Sequence, residues 1–342
     1  RSPLPLAPRV MPADVHPDDE LDATVQRADL DELVRLIDRR TELRDWDGLV
    51  RTRRSCIAAL DTGRQLWPAA TLAEYRLALW APDEWCAMVM EEDAGRFTPG
   101  PLSEVAAVHH SWKGLSSHLA PGPLHTYFAH ERSLRGEDIP AADRRELVPV
   151  IDIPIDLQPW EPSYSVATYD DDGAHHDRPT LLTPMATLEL PADVKPLDDT
   201  ETQVAFAQMV EMWTDQSNGR SEVTCVEGSA SEAIAATGVG RARTREMSSA
   251  QALDVLMWAG ASGGAHGRRR GSATGRFSLW WLLSAIVDVE WSDSVSEFGR
   301  MVSQLRWFEW DSWEPSTGWD LRLAAECPET GVSWAFSAVD FD

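Results

Sequence analysis

Residues 277–289 are apolar on nearly every face, with Trp280 and Trp281 side by side and only serines and one aspartate among them. A helix with no polar face cannot lie on a surface, so other elements must surround it. This one run therefore requires a large core in the C-terminal half, and nine of the chain's sixteen tryptophans lie beyond residue 250 to build it. The neighbouring patterns supply the layers. A helix is expected to begin at Thr200, where Thr200 and Gln203 fit a capping box and Phe206, Met209, Val210 and Trp213 form an apolar stripe. A short strand over 223–226, a short helix ending at Gly238 and a helix over 249–259 follow. Residues 305–310, 319–326 and 332–339 read as strands, the last two joined by a turn at Pro328-Glu329-Thr330-Gly331.

The N-terminal part has a different period. Leu30, Leu33, Val34 and Ile37, then Leu49, Cys56, Ile57 and Leu60, follow helical spacing, and further helices are expected around 72–80, 83–90, 104–109 and 124–134. Near residue 145 the period drops to two: Ile151, Ile153, Ile155 and Leu157 alternate with polar or proline residues, which predicts an edge strand. The expected fold is α+β, an N-terminal α-helical module followed by a mixed domain with a C-terminal antiparallel sheet. The expected divisions are an extended or flexible N-terminus (1–28), the helical module (29–145), a proline-rich extended bridge (146–199) and the α+β domain (200–342).

Charge singles out one loop. The formal net charge is -25, yet between Arg241 and Arg276 seven arginines face only Glu246 and Asp254. Within it, the glycine-rich stretch 260–276 carries His266, Arg268, Arg269, Arg270 and Arg276. Its glycines could let N–H groups converge on an anion at the start of the apolar helix, with arginine forks beside them. This makes the five residues candidates for binding an anionic small ligand or an acidic protein partner. The competing expectation is internal pairing with carboxylates such as Glu309, Asp311 or Glu314. A second polar cluster, Ser217, Asn218, Arg220, Glu222 and Glu227, would form an acid/base site if the loop folded against it. An enzyme acting on a phosphorylated or carboxylated small molecule would then use Arg268 to Arg270 for the anion and His266 or Glu227 for the proton. The third alternative is a structural scaffold with every arginine in an ion pair.

Other motifs weigh less. Gly260-Ala261-Ser262-Gly263-Gly264 matches G-x-S-x-G, but a nucleophile elbow needs a strand before the serine, and here a helix precedes it. His109-His110 and His175-His176 lack metal-ligand spacing, His130-Glu131 lacks a second histidine, and His175 and His176 are expected to face solvent. Neither a metal nor a cofactor is expected. The four scattered cysteines form no CxxC pair and suit a reducing cytoplasm. No run is long and apolar enough for a membrane span, residues 1–12 lack a signal peptide's apolar core, and the negative charge opposes general nucleic-acid binding. Nothing in the chain indicates an oligomeric state.

Several stretches, Trp46-Asp47-Gly48-Leu49, Gly63-Arg64-Gln65-Leu66-Trp67-Pro68, Ser217-Asn218-Gly219-Arg220 and Ala265-His266-Gly267-Arg268-Arg269-Arg270-Gly271, resemble an uncharacterised actinobacterial protein family, over most of the chain from about residue 30. The resemblance implies provenance but no activity. The expected role is a cytoplasmic binding or interaction protein working through the arginine loop.

Overall fold

The computed structural model describes residues 17–91, 94–315 and 318–341. Its first part is helical: Pro17–Arg27, Leu30–Glu42, Trp46–Leu60, Trp67–Trp80, Asp83–Ala87, Leu102–Ala106, Trp112–Leu115, Pro123–Leu134 and Ala141–Arg144. Aspartates start two of these helices by accepting orphan N–H groups, Asp29 from Glu32 (3.1 Å) and Asp45 from Gly48 (3.0 Å). Leu33, Leu36, Ile37, Leu49 and Cys56 are buried in the core these helices share, while Leu30, Val34 and Ile57 sit at its rim. The stretch 1–28, expected to be extended or flexible, contains the Pro17–Arg27 helix; residues 1–16 lie outside the described residues.

The alternating stretch 151–157 is not a strand. Ile151 and Ile153 are buried in the C-terminal core, so the alternation does mark an inward face. The backbone, however, finds no ladder: the carbonyls of Pro154 and Asp156 accept from the Arg276 guanidinium instead, at 2.7 and 3.1 Å. Farther along, β1 (Thr168–Asp170) and β2 (Gly173–His175) form a small hairpin, tied to the helical part by Tyr75, whose hydroxyl donates to the Asp170 carbonyl (2.6 Å).

The remaining strands make one antiparallel sheet. They are β3 (Ala186–Leu188), β4 (Pro196–Leu197), β5 (Arg220–Glu227), β6 (Ala242–Met247), β7 (Arg306–Asp311), β8 (Trp319–Cys327) and β9 (Val332–Asp340), in the order β3-β6-β7-β8-β9-β5-β4. The β8–β9 hairpin closes where expected, with Cys327 opposite Val332. Strand β6 escaped prediction because its sequence, Ala-Arg-Thr-Arg-Glu-Met, is mostly polar; Arg243 and Arg245 pair across it with Asp311 and Glu309 of β7. The Thr200–Met209 helix is capped one residue earlier than read, by Asp199, which accepts from the Thr202 N–H (3.1 Å).

Helices Thr200–Met209, Ser249–Ala261 and Ser272–Val287 and the sheet enclose the main core. The Ser272–Val287 helix is the apolar run anticipated above, and Leu279, Trp280, Leu282 and Leu283 are fully buried in it. It crosses the Ser249–Ala261 helix at Gly275, where an added Cβ would lie 2.7 Å from the Met257 carbonyl oxygen and 2.8 Å from the Ala261 Cβ. Gly275→Val should therefore lower stability by about 1–3 kcal/mol through overpacking, despite valine's better helix propensity, and urea denaturation measures it. An unchanged midpoint would show that this crossing is loose.

Candidate functional site

The glycine-rich loop leads into the buried start of the Ser272–Val287 helix. Gly271 adopts φ 91°, a conformation glycine tolerates, and turns the chain into that helix. The first N–H groups of a helix have no partner within it and carry partial positive charge. Here two carboxylates from the N-terminal helices supply acceptors. Glu104 Oε1 accepts from the Ser272 N–H (2.9 Å) and hydroxyl (2.6 Å), and Glu131 Oε1 accepts from the Ala273 N–H (2.7 Å). The anion cradle read from the sequence is thus filled by the protein's own side chains.

Glu104 is wholly buried. Besides Ser272 it accepts two bonds from Arg269, Nε and Nη2 both at 2.8 Å, and one from the Tyr169 hydroxyl (2.6 Å). Burial alone would raise its pKa, but the charge and hydrogen bonds of Arg269, the charge of Arg135 and the Ser272 bond together hold the carboxyl well below the usual carboxylate range. The Arg269 guanidinium also reaches Nδ1 of His176 (3.0 Å), whose Nε2 meets the Ser165 carbonyl (2.8 Å). That carbonyl can only accept, so His176 carries its proton on Nε2 and takes the Arg269 bond on Nδ1. Burial, then the Arg269 charge, push its pKa down to about 4. His176 is consequently a half-buried, neutral member of the network; of the pair expected to face solvent, only His175 does.

Arg276 is 0% exposed and forms a two-bond fork with Glu161 (2.8 and 2.6 Å). Neither Arg269 nor Arg276 uses the carboxylates proposed for them. Glu309 instead pairs with Arg178 and Arg245, Asp311 with Arg243, and Glu314 with Arg322. The partners come from 165 and 115 residues upstream.

Arg268 and Arg270 differ from these two. Among the described residues neither has a carboxylate within ion-pair distance: Arg268 Nη2 donates to the Gly95 carbonyl (3.1 Å) and Arg270 Nη1 to the Gln208 carbonyl (2.7 Å). Burial lowers the pKa of both; the Arg96 charge lowers that of Arg268 further, while the charge of Glu211, beyond ion-pair distance, partly offsets the effect on Arg270. Both line a cleft of about 340 Å³ whose wall also includes Tyr127, Met212, Glu131 and Thr274. Glu131, bonded to Arg135 (2.6 Å) as well as Ala273, has a pKa pushed up to about 7 by burial and by the charge of Glu104.

The remaining predicted residues are dispersed. His266 is exposed on the loop's turn. Ser217 donates to Asp340 Oδ1 (2.8 Å), whose Oδ2 accepts from the Ala265 N–H (2.6 Å), so this corner does touch the loop. Asn218 is exposed, Arg220 lies over the Phe341 ring, Glu222 shares a separate cavity with Arg220 and Arg322, and Glu227 stands at the far end of β5, roughly 23 Å from Arg220 at strand rise. Ser262 is buried at the end of the Ser249–Ala261 helix, its Oγ accepting from Trp213 Nε1 and donating to the Ala259 carbonyl, with no histidine beside it. Among the described residues no group of three or more His, Cys, Asp or Glu is placed to hold a metal ion, and no helix is long and apolar enough to cross a membrane.

Sequence reasoning missed Glu104, Glu131, Tyr169 and His176. A single signal was present, an acid at an inward helical position: Glu104 immediately precedes Val105 and Ala106, both buried, and a buried acid needs a partner.

A family model described as a family of unknown function, DUF6183, matches residues 31–342. No curated protein and no solved structure matches the chain.

Two outcomes follow for the buried network. Glu104→Gln leaves the Arg269 charge without its counter-ion and should cost on the order of 3–5 kcal/mol in chemical denaturation. For the wild type, Glu104 is depressed when folded, so its contribution is complete above the unfolded carboxylate pKa of about 4 and is lost as pH falls below it. Stability should therefore decline below about pH 4 in the wild type, and that decline should be shallower in Glu104→Gln. Equal slopes would remove Glu104 from the account.

Proposed function

The chain belongs to the DUF6183 family of unknown function, and we propose that it is a binding protein that holds a small anionic ligand in the cleft beside the arginine loop. One observation carries this: among the described residues Arg268 and Arg270, which line the cleft, have only backbone carbonyls as side-chain partners, whereas Arg269, which borders the same cleft, and the buried Arg276 are matched to carboxylates. In a chain with twenty-five more negative than positive charges, unmatched guanidiniums beside a cavity are positioned for an incoming anion. The scaffold alternative describes Arg269 and Arg276, and leaves Arg268 and Arg270 unexplained.

A cleft of this size suits a small molecule better than a protein surface or a nucleic acid, whose phosphates the rest of the acidic chain would repel. An enzymatic role would need a proton carrier in the cleft, and Glu131 is placed for it rather than His266 or Glu227. Four buried free thiols, Cys56, Cys86, Cys225 and Cys327, support a reducing cytoplasm as its place of work.

The test is a thermal-shift titration with sulfate, against chloride at matched ionic strength. Sulfate should raise the melting temperature of the wild type by mass action. Arg268→Ala/Arg270→Ala should abolish that rise and leave the ligand-free melting temperature within a few degrees, because no ion pair is broken. A sulfate shift that survives in the double variant contradicts the proposal.

A further inference from the structure

We infer that the cleft's ligand is a small organic anion with an apolar body, and that it is bound together with a proton taken up by Glu131. The inference rests on the reading of the cleft as an anion site and specifies what that site selects. The lining combines two kinds of group, Arg268, Arg270 and Gln216 on the one hand and the largely apolar Pro101, Leu124, Tyr127 and Met212 on the other. An inorganic ion would satisfy the guanidiniums and leave the apolar groups wet. A charged head with a hydrocarbon or aromatic body covers both, adding about 25 cal/mol per Å² of apolar surface removed from water.

Glu131 lines the same cleft and carries the wrong charge for it. The groups facing it are fixed. Arg135 approaches from its own helix, Glu104 from the Leu102–Ala106 helix, the Ala273 N–H from the start of the Ser272–Val287 helix and Tyr169 from β1, while Arg268, Arg269 and Arg270 border the cleft from the loop. Glu104 is locked in its ionised form by five hydrogen bonds, three of them from Arg269 and Tyr169. Glu131 has two, and it is the carboxyl free to change state. Ionised, it repels an arriving anion; protonated, it is neutral and offers an O–H donor. An anion therefore binds the protonated form better, and by linkage its arrival draws a proton from solvent. With the pKa of Glu131 raised by burial and the charge of Glu104, the protonated fraction of the free protein falls as pH rises through neutrality.

Isothermal titration with benzenesulfonate, a monoanion throughout this range, tests both parts. At pH 7, heats measured in two buffers of different ionisation enthalpy should show net proton uptake, and affinity should fall several-fold as pH rises from 6 to 8. Benzenesulfonate should also bind more tightly than sulfate. Glu131→Gln should bind with no proton uptake and no such pH dependence; because the buffer comparison on the wild type stands alone, a poorly folded variant does not blunt the test. Binding that Arg268→Ala/Arg270→Ala abolishes, but with heats independent of buffer, overturns the proton linkage and leaves the anion site standing. Equal affinity for sulfate and benzenesulfonate overturns the apolar body, and no binding of either overturns the anion site itself.

Discussion

A helix that begins inside a protein must find acceptors there for its first N–H groups, and the rest of this structure is arranged around that requirement. The Ser272–Val287 helix is buried from its first turn, at Ser272, Ala273, Gly275 and Arg276, so its first N–H groups cannot be left to water. Glu104 and Glu131 supply the acceptors, and both come from the helical first part. Burying two carboxylates is costly unless each is matched. Arg269 and Arg135 match them, with Tyr169 of β1 as a further donor to Glu104. One requirement thus joins the N-terminal helices, the proline-rich segment, the loop and the central helix.

The same requirement sorts the arginines. Arg269 points back into the network, Arg276 projects from the helix's first turns onto Glu161 and the carbonyls of residues 154–156, and both are spent on structure. Arg268 and Arg270 flank Arg269 in sequence and line the cleft without a carboxylate within ion-pair distance among the described residues. Two of the four arginines are thus paired with buried carboxylates, and two are left at the cleft.

Much of this order could be read from residue patterns. The apolar run, the helical period before residue 145 and the β8–β9 hairpin are local signals, and each appears in the fold. What local signals could not supply were the partners. Glu309, Asp311 and Glu314, on the C-terminal side of the loop, were the partners expected, yet cross-strand neighbours and nearby arginines claim all three. The acids that pair with Arg269 and Arg276 lie more than a hundred residues upstream, where no periodicity links them to the loop. Alternation at 151–157 misled for a related reason: it records which side chains face inward, while the partner of the backbone carbonyls, Arg276, lies 120 residues away. Ser262 was legible because its context, the end of a helix, is local.

The central claim is that the Glu104–Arg269 pair holds the structure as a unit, and a double-mutant cycle measures that coupling directly. Glu104→Gln, Arg269→Met and the double variant would be compared by chemical denaturation. Each single change strands a buried charge or its donors, whereas the double change removes both charges. The account predicts that the double variant is clearly more stable than the sum of the single losses implies, with a coupling energy on the order of 1–3 kcal/mol or more. Additive losses would contradict it.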